Sequence, residues 1–255
     1  MKRLLILLAL PLLCAWPSLN MGGGVPAAGG GGTPVVDSSC TFTGTGTAAT
    51  AQDYSTGGCT DPTSGDLVIL MVGLDMGGTD PNTPTTGDHA VMAATDNANA
   101  ESMTKENTGT RATELAGALY SYTQGSTTAT TFTVSWATSV DWVITVLVFT
   151  SGSFNATSLS AGMFGSFANP DITMGAITND GSDPLNVEWA VKDRSGSPTL
   201  DVDGCSTGYS AVVLEVGSGG ISMGVCTASD SGSPDAMSGD SGNDGALSGL
   251  FEVNP

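Results

Sequence analysis

The stretch TFTVSWATSVDWVITVLVFTSG (131–152) decides the fold. Over 131–136, hydroxyl and apolar residues alternate with the period of two that a strand requires, so Phe132, Val134 and Trp136 share one face. Residues 143–149 are apolar except for Thr145, the pattern of a strand covered on both faces. β-branched residues dominate both runs, which favours strand over helix. The intervening ATSVD (137–141) carries small and turn-forming residues, so the reading is a hairpin flanked by Trp136 and Trp142.

The same alphabet extends in both directions. GDLVILMVGLD (65–75) is a second near-continuous apolar run. Short Val-, Ile-, Thr- and aromatic-rich segments, punctuated by Gly, Asp, Asn, Ser and Pro, place strands at 40–46, 66–74, 89–95, 114–122, 130–136, 142–150, 172–178, 185–191, 210–216, 222–227 and 247–253. Residues 112–122 also keep helical spacing at Leu115, Leu119 and Tyr122, so helix and strand both remain open there. About eleven short strands with long apolar runs that need a facing layer imply an all-β, antiparallel, jelly-roll-like β-sandwich. Its expected core is 67–72, Trp136, 142–149, Trp189 and 212–214. SWATSVDWVITVLVFTSG (135–152) echoes DGCSTGYSAVVLEVGSG (203–219), which raises the alternative of two related halves within the domain.

The N-terminus reads as export. Lys2 and Arg3 precede an apolar run from Leu4 to Trp16, too short for a bilayer span, so 1–20 is expected to be a signal peptide. A lipid anchor would use Cys14, but Leu13 stands where a small residue is needed. Residues 21–35 (MGGGVPAAGGGGTPV) read as a flexible Gly-rich linker and 36–255 as the folded domain.

The chain has 255 residues and 36 glycines, and its 6 basic against 25 acidic side chains give a formal net charge of -19. Outside the leader only Lys105, Arg111, Lys192 and Arg194 are basic. With no basic patch to release counterions, nucleic-acid binding is excluded, and the mature form is not expected on anionic membranes.

Of the five cysteines, Cys14 lies in the leader, leaving Cys40, Cys59, Cys205 and Cys226. An even number after export points to two disulfides. Three connectivities exist, and Cys40 with Cys59 and Cys205 with Cys226 is favoured because each pair closes a short, turn-rich segment. Each closure is worth about 3 kcal/mol in the chain-entropy model. A four-cysteine zinc site is disfavoured because no spacing matches C-x2-C or C-x4-C.

Candidate chemistry is sparse. His89 is the only histidine, and SGDSGND (238–244) contains the G-D-S-G of chymotrypsin-type serine proteases. Asn243 replaces the next glycine, and too few residues follow Ser241 for a specificity pocket, so a surface loop is the expected reading. Gly204–Gly208 matches G-x-S-x-G, yet that motif must lead from strand into helix, and a strand follows here. Glu188 and Glu215 offer paired carboxylates for glycoside chemistry, or simply the solvent faces of alternating strands. Asp201, Asp203, Asp240 and Asp244 are weak calcium candidates, the last two in a partial match to a calcium loop. Asn155-Ala156-Thr157 is a glycosylation sequon.

GDLVILMVGLD (65–75), ALYSYT (118–123), TFTVSWATSVDWVITVLVFTSG (131–152) and the closing LFEVNP (250–255) together resemble β-sandwich proteins found among bacteriophage and environmental-virus structural or tail-associated sequences. The resemblance covers roughly 60–255 and rests on structural motifs. It implies a sandwich fold and carries over no catalytic residues. The expected function is a non-catalytic, exported or virion-associated structural or adhesion protein that meets a protein or glycan surface and self-assembles through edge strands. The alternative is a carbohydrate-binding, lectin-like module, with calcium as its cofactor.

Overall fold

The computed structural model describes residues 32–76, 93–96, 101–111, 114–159, 164–166, 171–178, 183–193, 202–218, 220–229, 236–239 and 245–255. Every element in them is a strand, and every strand pairing is antiparallel. The expected signal peptide, 1–20, and most of the linker lie outside the described residues. So do His89, Asp201, Asp240, Ser241 and Asp244.

The first sheet is organised by one long strand. β1 (Ser38–Asp53) lies along one side of β7 (Thr131–Phe149), while β2 (Leu67–Asp75) and β3 (Ala93–Asp96) share the other side. Beyond β3 lies β4 (Glu101–Ser102), and beyond β2 come β6 (Leu115–Thr123) and then β5 (Thr104–Arg111). The expected hairpin at 137–141 is therefore corrected: 131–149 is a single strand. Its turn-like middle supplies a bend instead. Gly46 pairs with Val140 and Ala48 with Ser135, so β7 packs extra residues into the corner. A straight strand would hold Trp136 and Trp142 about 20 Å apart, yet their ring centroids are 5.9 Å apart. The Trp136 indole nitrogen donates to Gly46 O (2.8 Å), and Gly46 adopts φ +149°, fixing the corner on both strands.

The bend folds this sheet over its own face. Val68, Leu70 and Val72 of β2 and Ile144, Val146 and Val148 from one arm of β7 join Phe132, Val134 and Trp136 from the other arm in one buried cluster. Phe42 meets Phe132 edge-on at 5.2 Å, and the Cys40–Cys59 disulfide ties β1 to the turn that follows it.

The opposite face of the sheet makes the sandwich. Leu67, Ile69, Met71, Val143 and Leu147 pack against Val187, Trp189 and Val191 of β11 (Leu185–Asp193), Met223 and Val225 of β14 (Ile221–Ser229), and Leu247, Phe251 and Val253 of β16 (Ala246–Asn254). Each such side chain contributes about 1.5–3 kcal/mol on burial. The second sheet runs β13 (Ser210–Ser218), β14, β11, β16, β8 (Ser153–Leu159), with β9 (Phe164–Ser166) also on β16. A small third sheet, β10 (Asp171–Thr173), β15 (Ala236–Gly239) and β12 (Val202–Gly204), covers the second sheet's outer face through Ile172, Met237 and Val202.

Layering explains the apolar runs. β2 is buried from Leu67 to Leu74 because both its faces are cores. Of the ambiguous segment 112–122, residues 112 and 113 lie outside the described residues and 115–122 resolve as strand β6: Ala116, Ala118 and Tyr120 enter one core while Leu115 and Leu119 enter the other, whereas a helix would bury only one stripe. The echoing segments fall on β7 and β13; among the described residues β7 pairs on both sides and β13 pairs with β14. No helix among the described residues is long and apolar enough to cross a membrane.

Candidate functional site

Beside its apolar contacts with the third sheet, the outer face of the second sheet carries polar side chains that are buried. Alternation along β11 sends Trp189 into the sandwich core and Glu188 to the other side, with Asn186 and Lys192. Register carries the pattern across: Glu188 lies beside Cys226 and Leu250, Asn186 beside Glu252, and Lys192 beside Ser222. Glu188 and Glu252 are both fully buried.

Such carboxylates need donors. Glu188 receives the Ser206 amide (2.8 Å) and the Ser206 hydroxyl (2.6 Å), one on each oxygen. Glu252 receives the Asn155 side-chain amide at 3.0 Å, while the Asn155 carbonyl oxygen accepts from the Thr157 amide and hydroxyl. The sequon asparagine is thus a buried structural residue in the folded chain.

Ser206 is also the central residue of the G-x-S-x-G match. It is buried, its hydroxyl is given to Glu188, and β13 follows where a nucleophile elbow needs a helix. Cys205 beside it is bridged to Cys226, so the second expected disulfide is formed as well. Glu188 and Glu215 do not stand on neighbouring strands, because β14 separates β11 from β13. Two strand spacings alone are about 10 Å. Of the calcium candidates, Asp203 is described, and it is exposed on β12.

Sequence reasoning did not find three features. First, a carboxylate oxygen of Glu188 and the sulfurs of Cys205 and Cys226 all lie within 4.8 Å of one another. Second, Asp75 and Asp141 are directly paired across β2 and β7. Asp141 accepts from the Thr45 hydroxyl and from the Gly220 amide (3.1 Å), and a Cβ on Gly220 would stand 2.1 Å from Asp75 Oδ2. Asp75 ends β2 and Asp141 sits at the corner of β7, where simple alternation carries no signal. Third, a groove of about 690 Å³ runs between the N-terminal entry to β1 and the edge strand β13. Its walls include Pro34, Val35, Val36, Leu185, Val212 and Thr227. Val35 is 69% exposed there, and the groove's carboxylate, Asp37, accepts from the Thr150 amide.

Ionisation at two further positions follows local geometry. The Ser55 hydroxyl, then the Thr56 amide and, less strongly, the Ser55 amide, hold the Asp53 carboxyl below its ordinary value of 3.8, outweighing the opposing desolvation. Burial pushes the Tyr120 phenol above its usual range. No protein-family model, curated protein or solved structure matches this chain.

Proposed function

We propose that this chain is a non-catalytic structural or adhesion protein, exported or virion-associated, that meets its partner through the rim of a rigid β-sandwich. The observation that carries this reading is the groove between β1 and β13. Its lining is aliphatic and hydroxyl-bearing, with Val35 exposed and Asp37 already engaged by Thr150. Apolar contact beside strand edges suits docking of another protein surface better than acid–base chemistry. The buried carboxylates support the same reading, since Ser206 and Asn155 hold Glu188 and Glu252 as parts of the architecture. Two disulfides across short loops suit a protein exposed to an oxidising medium.

The test measures binding of labelled full-length chain to intact bacterial cells and virus particles, comparing wild type with Val35→Asp and Val212→Asp. Saturable binding that weakens at least tenfold in both variants supports the proposal. Unchanged binding in both, or release of sugar from a glycan panel, overturns it. Calcium-dependent retention on that panel would favour the lectin-like alternative.

A further inference from the structure

We propose that Glu188, Cys205 and Cys226 form a latent binding site for a borderline divalent cation such as Zn²⁺, opened when the Cys205–Cys226 bridge is reduced. The sheet itself brings the ligands together. Glu188 on β11 lies directly beside Cys226 on β14, and Cys205 reaches the same point from the segment after β12. One carboxylate oxygen and two sulfurs fall within 4.8 Å of one another, with Glu188 and Cys226 fully buried and Cys205 partly open to solvent.

The carboxyl group of Glu188 is already held in place. Ser206, next in chain to Cys205, donates one hydrogen bond to each Glu188 oxygen, which fixes the orientation of the carboxyl group beside the two sulfurs. Carboxylate plus two thiolates is a donor set that zinc accepts, with water in the fourth tetrahedral place. Zinc–sulfur bonds of about 2.3 Å place two thiolates about 3.8 Å apart. Side-chain rotation from Cα atoms 5.8 Å apart reaches that separation without moving a strand.

The chemistry balances. A dithiol reductant supplies two electrons and two protons; the Cys205–Cys226 bond breaks, two thiols form, and the reductant leaves as its own disulfide. Zinc then displaces both thiol protons into solvent. Without the cation, the buried carboxylate opposes thiolate formation beside it. Once bound, the dication offsets two of the three negative charges of its ligands. Reoxidation by thiol–disulfide exchange with a disulfide oxidant, which accepts the two electrons and leaves as two thiols, re-forms the bridge and expels the metal, so bridge and metal are mutually exclusive states of one locus. The second bridge provides an internal contrast: among the described residues, no comparable third ligand accompanies Cys40 and Cys59.

The experiment uses the full chain, reduced anaerobically, desalted and titrated with Co²⁺, whose thiolate charge-transfer absorption reports sulfur ligation, followed by displacement with Zn²⁺. One equivalent is expected in the reduced chain and none in the oxidised chain. Glu188→Gln should weaken binding at least tenfold, and Cys205→Ser should abolish the band. As a measurement independent of variants, zinc should protect Cys205 and Cys226, but not Cys40 and Cys59, from alkylation in the reduced wild-type chain. Absence of the band, its persistence in Cys205→Ser, full-strength binding by Glu188→Gln, or protection of both pairs alike or of neither, overturns the proposal.

Discussion

Trp189 rests its indole on the backbone of Gly249, its partner across β11 and β16: a Cβ on Gly249 would lie 2.4 Å from the indole nitrogen. The glycine is where the second sheet makes room for the largest side chain of the sandwich core. Gly249→Ala should therefore destabilise the fold by about 1–3 kcal/mol through overpacking, despite alanine's better intrinsic strand behaviour. Urea denaturation measures the loss, and a reduced near-UV circular dichroism signal would show that the indole has moved. An unchanged midpoint would mean that the two sheets separate easily, contrary to the packing described.

In the first core, the Tyr120 hydroxyl is buried with no hydrogen-bond partner among the described residues. Tyr120→Phe keeps the ring and removes the orphaned group, so stability should rise by about 1 kcal/mol. The same substitution at a hydroxyl that made a bond would lower it. The direction of the shift in thermal midpoint is thus decisive.

Asp75 and Asp141 face each other across neighbouring strands, and like charges so placed repel. Asp141 accepts from the Thr45 hydroxyl and the Gly220 amide, and a change at Asp75 leaves both of those bonds in place. Asp75→Asn should gain about 0.5 kcal/mol at low ionic strength, and salt screening should shrink the gain. Equal gains at low and high salt would remove repulsion as the cause.

Glu252 lies fully buried beneath Asn155, which is 97 positions away in sequence. Asn155→Ala withdraws that amide from a buried carboxylate and should lower stability by about 1–3 kcal/mol. A glycan on Asn155 would consume the same nitrogen, so the folded chain should resist modification at this sequon. Enzymatic glycosylation of native protein, read by mass spectrometry, tests that; efficient transfer would show that Asn155 is accessible.

How far the sequence reveals these relationships depends on local pattern. β2, β11, β14 and β16 are legible because layers on both sides demand long apolar or alternating runs. The bridges are legible too, since each closes a short loop, with separations of 19 and 21. β5, TKENTGTR, escapes because it is an edge strand whose Lys105 is exposed, and charges at edges discourage further pairing while hiding the strand's apolar signature. The bend in β7 escapes because the same small residues make a turn or a corner, and only Gly46 on β1 decides between them. For the polar layer, Glu188 and Ser206 are each visible as residues of interest, for other chemistry, but their pairing is not. Their contact depends on where β12 and the third sheet deliver the chain, which no local pattern encodes.

Asp53 closes β1 by accepting from the Ser55 amide, the Ser55 hydroxyl and the Thr56 amide. These bonds favour the ionised acid, so its folded pKa lies below 3.8. A depressed carboxyl contributes stability that is fully present above the unfolded value and is lost as pH falls through the folded one. The turn at 54–58 should therefore loosen only in the acid range below about pH 4. A side-chain carbon titration followed by NMR should place Asp53 below 3.8, and Ser55→Ala should move it back upward, because the serine hydroxyl is the largest contributor. If Ser55→Ala leaves the titration unchanged, the hydroxyl does not hold the carboxylate, and the turn owes its order to the Thr56 hydroxyl on Asp53 O and to the neighbouring Cys40–Cys59 bridge.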